Sequence, residues 1–197
     1  MKATPVASSG TVSAWNLPNV LSAGRLLTAP FLIWLLRDPG PTAAAFGAIV
    51  FLFACLSDWL DGHLARTRGL TTQLGKFLDP LADKVLVISV LIMLAAMPEG
   101  PRVPAWMVAA IAARELAVTG LRTIALGEGI VLGAESLGKA KMTFEVIALV
   151  PLIARYRLGP IDFFAAGMAF LWIALLVALW SGVAYPVRLD RAIQQRA

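Results

Sequence analysis

Six long apolar stretches dominate the chain, and the polar residues between them come in short groups. They cover Leu17–Leu36, Ala43–Arg66, Leu74–Met97, Val103–Leu126, Leu137–Ala154 and Phe163–Tyr185, each near the roughly 20 residues that a helix needs to cross a bilayer. Each run is continuous rather than alternating, which predicts helices and argues against the strands of a membrane barrel. Clusters of turn formers punctuate the series: Asp38-Pro39-Gly40-Pro41, Pro98-Glu99-Gly100-Pro101 and Leu158-Gly159-Pro160. Pro30 falls inside the first stretch, where a kink is expected, and Pro151 near the end of the fifth, where it costs less. The pattern predicts an all-α integral membrane protein of six transmembrane helices. Residues 1–15 are small and polar, without the apolar core of a cleavable signal, and are expected to form a flexible or interfacial tail. Residues 16–187 then make up one six-helix transmembrane domain, and residues 188–197 a C-terminal tail. No internal repeat is visible, which weighs against transporter folds built from duplicated halves.

Charge gives the helices a direction. With six spans, both termini and the second and fourth connectors share one side. That side carries thirteen of the seventeen Lys and Arg residues; the other has only Arg37, Arg102, Arg155 and Arg157. The excess marks the first side as the cytosol, with a bacterial inner membrane as the expected location. With 59% of its residues hydrophobic, the chain has no stretch left for a separate soluble domain. Its net charge of +5 therefore fits adhesion to anionic lipid headgroups rather than to nucleic acid. The single cysteine, Cys55, lies in an apolar run and is expected to be an inert thiol.

The most informative polar residues lie between Asp58 and Asp83, around the second connector. Reduced to its polar and small positions, this segment reads D-x2-D-G-x2-A-R-x8-G-x3-D-x3-D. On a helix Asp58, Asp61, Gly62 and Ala65 fall at i, i+3, i+4 and i+7, and Gly75, Asp79 and Asp83 at i, i+4 and i+8. Each set therefore lines one face. Two helix ends joined by a turn around Arg68-Gly69 can point two pairs of carboxylates at each other. Ionisable groups at membrane depth cost about 2.5–3.5 kcal/mol each on insertion scales, and four close acids repel unless a cation sits between them. Gly62, Ala65 and Gly75 leave room on the same faces for a bulky ligand. Hard oxygen ligands in this number suit Mg²⁺ or Mn²⁺, in a two-metal arrangement acting on a phosphate. Zinc is disfavoured, because no cysteine or histidine cluster is available. The competing reading, solvated helix faces with Arg66 and Lys76 paired to Asp61 and Asp79, suits an isolated D-x2-D better than this doubled pattern. His63 has no matched partner and is read as incidental.

The pattern of Asp58, Asp61, Gly62, Ala65, Arg66, Gly75, Asp79 and Asp83 resembles, at every position, the motif of the CDP-alcohol phosphotransferases. The resemblance implies a membrane enzyme of six helices with a cytosol-facing polar cavity, generally dimeric. Such enzymes transfer a phosphatidyl or related group from a CDP-linked donor to an alcohol and release CMP. It implies further that Asp58, Asp61 and Asp79 hold two Mg²⁺ or Mn²⁺ ions against the donor diphosphate. Asp83 would complete the metal shell and act as general base on the acceptor hydroxyl. Gly62, Arg66, Thr72 and Gly75 would contact the donor, CDP-diacylglycerol. These roles agree with the physics. The departing diphosphate needs its charge neutralised, and an unactivated alcohol needs a carboxylate to take its proton.

Outside the motif, Arg114, Arg122, Lys139 and Lys141 form a second basic set on the predicted cytosolic side. On charge alone two readings stand level. The four could clamp the phosphate of an anionic acceptor, or Glu115 could neutralise Arg122 while the lysines mark topology. The wider sequence favours the clamp. Asn16-Leu17-Pro18-Asn19 with Arg25 and Pro30, the run Leu78–Lys84, Ala113–Glu115 with Leu121-Arg122, and Gly138–Lys141 together resemble the bacterial phosphatidylglycerophosphate synthases. That resemblance implies sn-glycerol 3-phosphate as the acceptor. Phosphatidylinositol-phosphate synthases and cardiolipin synthases keep the same metal motif with other acceptors. A divalent-cation transporter is the alternative from another class, although a cation pore has no need of Arg66 or the glycine spacing.

Overall fold

The structure, a computed structural model, describes residues 17–38, 40–68, 73–127, 130 and 136–195, with the side chains of 17–23, 58–68, 73–80 and 136–139 left aside. Among the described residues six helices follow one another: α1 (Leu17–Leu35), α2 (Pro41–Arg68), α3 (Gln73–Ala96), α4 (Ala105–Gly127), α5 (Ser136–Ala154) and α6 (Phe163–Gln194). The first five lie close to the apolar stretches that predict them, and α1 continues through Pro30. The sixth begins at Phe163 as expected but runs through Pro186 to Gln194, into the segment expected as a tail. Hydropathy falls there, but Arg188, Leu189, Arg191 and Ala192 are good helix formers, and helix and apolar run need not end together.

A two-residue turn at Gly159-Pro160 closes a small hairpin of β1 (Arg157–Leu158) and β2 (Ile161–Asp162), with Arg157 opposite Asp162. Gly159 has φ of 58°, in the left-handed region that glycine enters without a side-chain clash. Asp162 then caps α6, its carboxylate accepting from the Ala165 amide at 3.1 Å. Nearby, the Arg155 guanidinium donates to the carbonyls of Glu99 and Pro101 at 3.0 and 3.1 Å. It thereby ties the α3–α4 connector to the end of α5, so these two connectors share one side of the bundle.

The bundle is divided along its axis. Its main apolar core draws on Ala29–Leu36 of α1, Ala48 and Phe51 of α2, Leu86–Leu94 of α3, Met107–Ile111 of α4, Ala148–Ile153 of α5, and Leu171 and Leu175 of α6. In every helix these belong to the half nearer the Arg155 side. The other half holds Arg25, Asp83, Arg114, Glu115, Lys141, Glu145 and Ser181, most of them buried or half-buried. The ends of α2 and α3 that carry the aspartate motif lie in this polar half.

The exterior is strongly apolar. Leu27, Trp34, Phe53, Leu116 and Trp180 are each about 70% exposed, more large apolar surface than a soluble monomer leaves to water. Among the described residues, α6 is long and apolar enough to cross a membrane by length and composition. Hydroxyls on the helices turn inward on their own backbone: Thr28 donates to Gly24 O, Ser57 to Phe53 O and Thr119 to Glu115 O.

Helices α5 and α6 pack along much of their length, and Gly167 sets their closest approach. A Cβ there would lie 2.6 Å from Leu152 Cγ and 2.9 Å from the Ala148 carbonyl oxygen. The backbone oxygen cannot step aside. Gly167→Ala is therefore expected to destabilise the fold by about 1–3 kcal/mol despite alanine's better helix propensity. A lowered unfolding midpoint in detergent checks this, and an unchanged midpoint would mean that α5 shifts freely.

Candidate active site

The aspartate motif straddles the α2–α3 junction. Asp58, Asp61, Gly62 and Arg66 lie in the C-terminal half of α2, and Gly75, Asp79 and Asp83 in the N-terminal half of α3. Thr72 and the turn around Gly69 lie outside the described residues, as do the side chains of Asp58, Asp61, Arg66 and Asp79. Asp83 is described, and its surroundings are specific. Its Oδ1 accepts from Arg25 Nη1 at 2.8 Å, across the α1–α3 contact. Arg25 is almost fully buried, its side chain 4% exposed against 21% for Asp83. A buried guanidinium requires an anion, and a carboxylate held through one oxygen is oriented as well as neutralised.

The basic set divides. Arg114 is engaged through three nitrogens: Nε to Ala178 O at 3.1 Å, Nη1 to Glu115 Oε1 at 2.5 Å and Nη2 to Ser181 Oγ at 2.6 Å. It pins α4 to α6. Lys141 is buried between two carboxylates, Glu115 Oε1 at 2.6 Å and Glu145 Oε2 at 2.9 Å. Arg122 stands exposed on α4, one turn before its end, and Lys139 lies at the start of α5 with its side chain outside the described set. Glu115 thus partners Arg114 and Lys141, not the Arg122 that the seven-residue spacing offered. The spacing places Glu115 and Arg122 on one face, but adjacent Arg114 and the α5 lysine lie nearer.

Two participants have no site role in the sequence reading. Arg25 enters it as a topology charge and as one of the residues that carry the resemblance, although a lone arginine inside an apolar span is itself a signal. Glu145 carries a weaker one, its i+4 spacing from Lys141.

Residues 15–180 match the CDP-alcohol phosphatidyltransferase family. The chain belongs to this family. It is 38% identical over 183 residues, 87% of this chain and 93% of the relative, to the CDP-diacylglycerol–glycerol-3-phosphate 3-phosphatidyltransferase of Bacillus subtilis (strain 168). A protein of the same name from Rickettsia bellii (strain RML369-C) is 34% identical over 171 residues, 86% of this chain and 93% of that one. The cardiolipin synthase (CMP-forming) of Oryza sativa subsp. japonica is 34% identical over 192 residues, which cover 90% of this chain but 58% of that protein. As a CDP-alcohol phosphatidyltransferase, the chain is an enzyme of phospholipid synthesis. The complete motif from Asp58 to Asp83 stands within the matched residues.

Proposed function

We propose that this protein transfers the phosphatidyl group of CDP-diacylglycerol to sn-glycerol 3-phosphate, giving phosphatidylglycerophosphate and CMP. The observation that carries this reading is an intact aspartate motif in a chain alignable over nearly all of its length with two bacterial transferases of that name. The cardiolipin synthase relative supports a second reading, in which phosphatidylglycerol takes the acceptor's place.

Asp58, Asp61, Asp79 and Asp83 form an all-carboxylate donor set, whose chemistry fits Mg²⁺ or Mn²⁺. Two such ions, when bound, supply neutralisation of the diphosphate charge as CMP leaves. Arg66, with Gly62, Thr72 and Gly75, holds the CDP moiety. Asp83 removes the proton of the acceptor hydroxyl as its oxygen attacks the β-phosphorus. The bond from that phosphorus to the bridging oxygen breaks, and CMP departs with its electron pair. Arg25 keeps Asp83 turned toward this task. Arg122, Lys139 and Lys141 bind the acceptor phosphate, with Arg114 fixed behind them.

The apolar exterior supports six membrane spans in a bacterial inner membrane, and the basic residues support cytosolic termini and a cytosolic site. A homodimer bathed in anionic lipid is the expected working form. The test is incorporation of labelled glycerol 3-phosphate into extractable lipid, dependent on CDP-diacylglycerol and on Mg²⁺ or Mn²⁺. Metal flux into liposomes without incorporation would replace the transferase with a transporter.

Arg122→Ala is expected to raise the glycerol 3-phosphate KM by about tenfold, as loss of a charge-assisted contact does, while the CDP-diacylglycerol KM stays near its starting value. Equal changes in both would move Arg122 from acceptor contact to structural support.

A further inference from the structure

Glu145 lies outside the aspartate motif and outside every role given above. It sits on α5 one turn beyond Lys141, and its side chain is 3% exposed. A carboxylate is retained out of water only where cations and donors compensate it. Its Oε2 faces Lys141 Nζ at 2.9 Å, and Oε1 has no hydrogen-bond partner among the described residues. Lys141 is shared with Glu115 on α4, whose Oε1 also receives Arg114 Nη1.

Glu145 brings a second carboxylate to the buried Lys141 ammonium, in a cluster where Arg114 and Lys141 already share Glu115 Oε1. Geometry adds a second effect. An ammonium has three N–H donors, and carboxylates from two different helices take two of them, which sets the direction of the third. Glu145 acts from behind: the next buried residues on its helix, Ala148 and Leu149, belong to the apolar core. A carboxylate facing a phosphate would repel it, so Glu145 works through the lysine.

We propose that Glu145 is a positioning residue for the anionic acceptor, holding the Lys141 ammonium jointly with Glu115 so that its remaining N–H meets the acceptor phosphate. This rests on the reading of Lys141 as an acceptor contact. The test uses the full chain in lipid–detergent micelles as Glu145→Gln, Glu145→Asp, Lys141→Met and the double variant Glu145→Gln/Lys141→Met. Glu145→Gln raises the glycerol 3-phosphate KM about tenfold with the CDP-diacylglycerol KM changed by less than about twofold. Glu145→Asp keeps the charge and gives a smaller rise; it carries the comparison if the glutamine variant does not fold. On the Lys141→Met background, Glu145→Gln adds nothing further. A merely structural role would move both KM values together, and that result overturns the proposal, as does an additive double variant. If Lys141→Met raises the acceptor KM and neither Glu145 variant does, the positioning role alone falls. If Lys141→Met leaves it unchanged, the acceptor role of Lys141 falls and the proposal with it.

Discussion

Asp83→Asn is expected to lower turnover by about 10²–10⁴-fold, the range a positioned general base supplies, with CDP-diacylglycerol binding largely kept. The carboxylate lies 2.8 Å from a buried guanidinium, so its position is held by the fold rather than by the substrate. Asparagine keeps an oxygen that can accept from Arg25 and leaves the α1–α3 contact in place. What it loses is the capacity to take a proton and to offer a charged ligand to a cation. CMP release per folded molecule, set beside donor binding, separates these effects. Turnover like that of the unaltered protein would remove Asp83 as the base.

The second large effect is on stability. Arg114→Met is expected to cost about 3–5 kcal/mol, the usual result of removing one partner of a buried charge network. Three nitrogens of Arg114 bond to Ala178 O, Glu115 and Ser181, and Gly182 lets α6 come within 3.1 Å of its Cγ, measured from an added Cβ. Its loss removes the donor to Ser181 Oγ, which keeps only its own bond to Ala178 O, and takes one of two cations from Glu115 Oε1. Unfolding in detergent should show the drop. An unchanged midpoint with a raised acceptor KM would instead make Arg114 a direct acceptor contact.

Much of this protein was legible in its sequence because long apolar helices leave a coarse signal. The apolar runs located α1 to α5 closely, since their ends coincide with Pro, Gly and charged residues. The extension of α6 past Tyr185 was not legible: hydropathy marks where apolar residues stop, whereas the helix continues on the propensity of Arg188–Gln194. The hairpin at Leu158–Ile161 escaped for a similar reason, a turn signal being the same whether or not two short strands flank it. The motif's backbone placement followed from spacing alone, as Asp58, Asp61, Asp79 and Asp83 sit on two successive helices. Pairings between helices were a different matter. Arg25 with Asp83 spans 58 positions, and Lys141 with Glu115 spans 26. No local period encodes such contacts. Local charge spacing in fact favoured Glu115 with Arg122, and tertiary packing placed Arg114 and Lys141 there instead.

The central claim is that an acceptor bearing its own phosphate attacks CDP-diacylglycerol at this site. Its most direct test is CMP release by the purified protein with Mg²⁺ and CDP-diacylglycerol, comparing glycerol 3-phosphate, inositol 1-phosphate, phosphatidylglycerol and no acceptor. The account predicts release with glycerol 3-phosphate and background with the other three. Release with phosphatidylglycerol in its place would make the protein a cardiolipin synthase, and release with none of them from folded, metal-supplied protein would contradict the account.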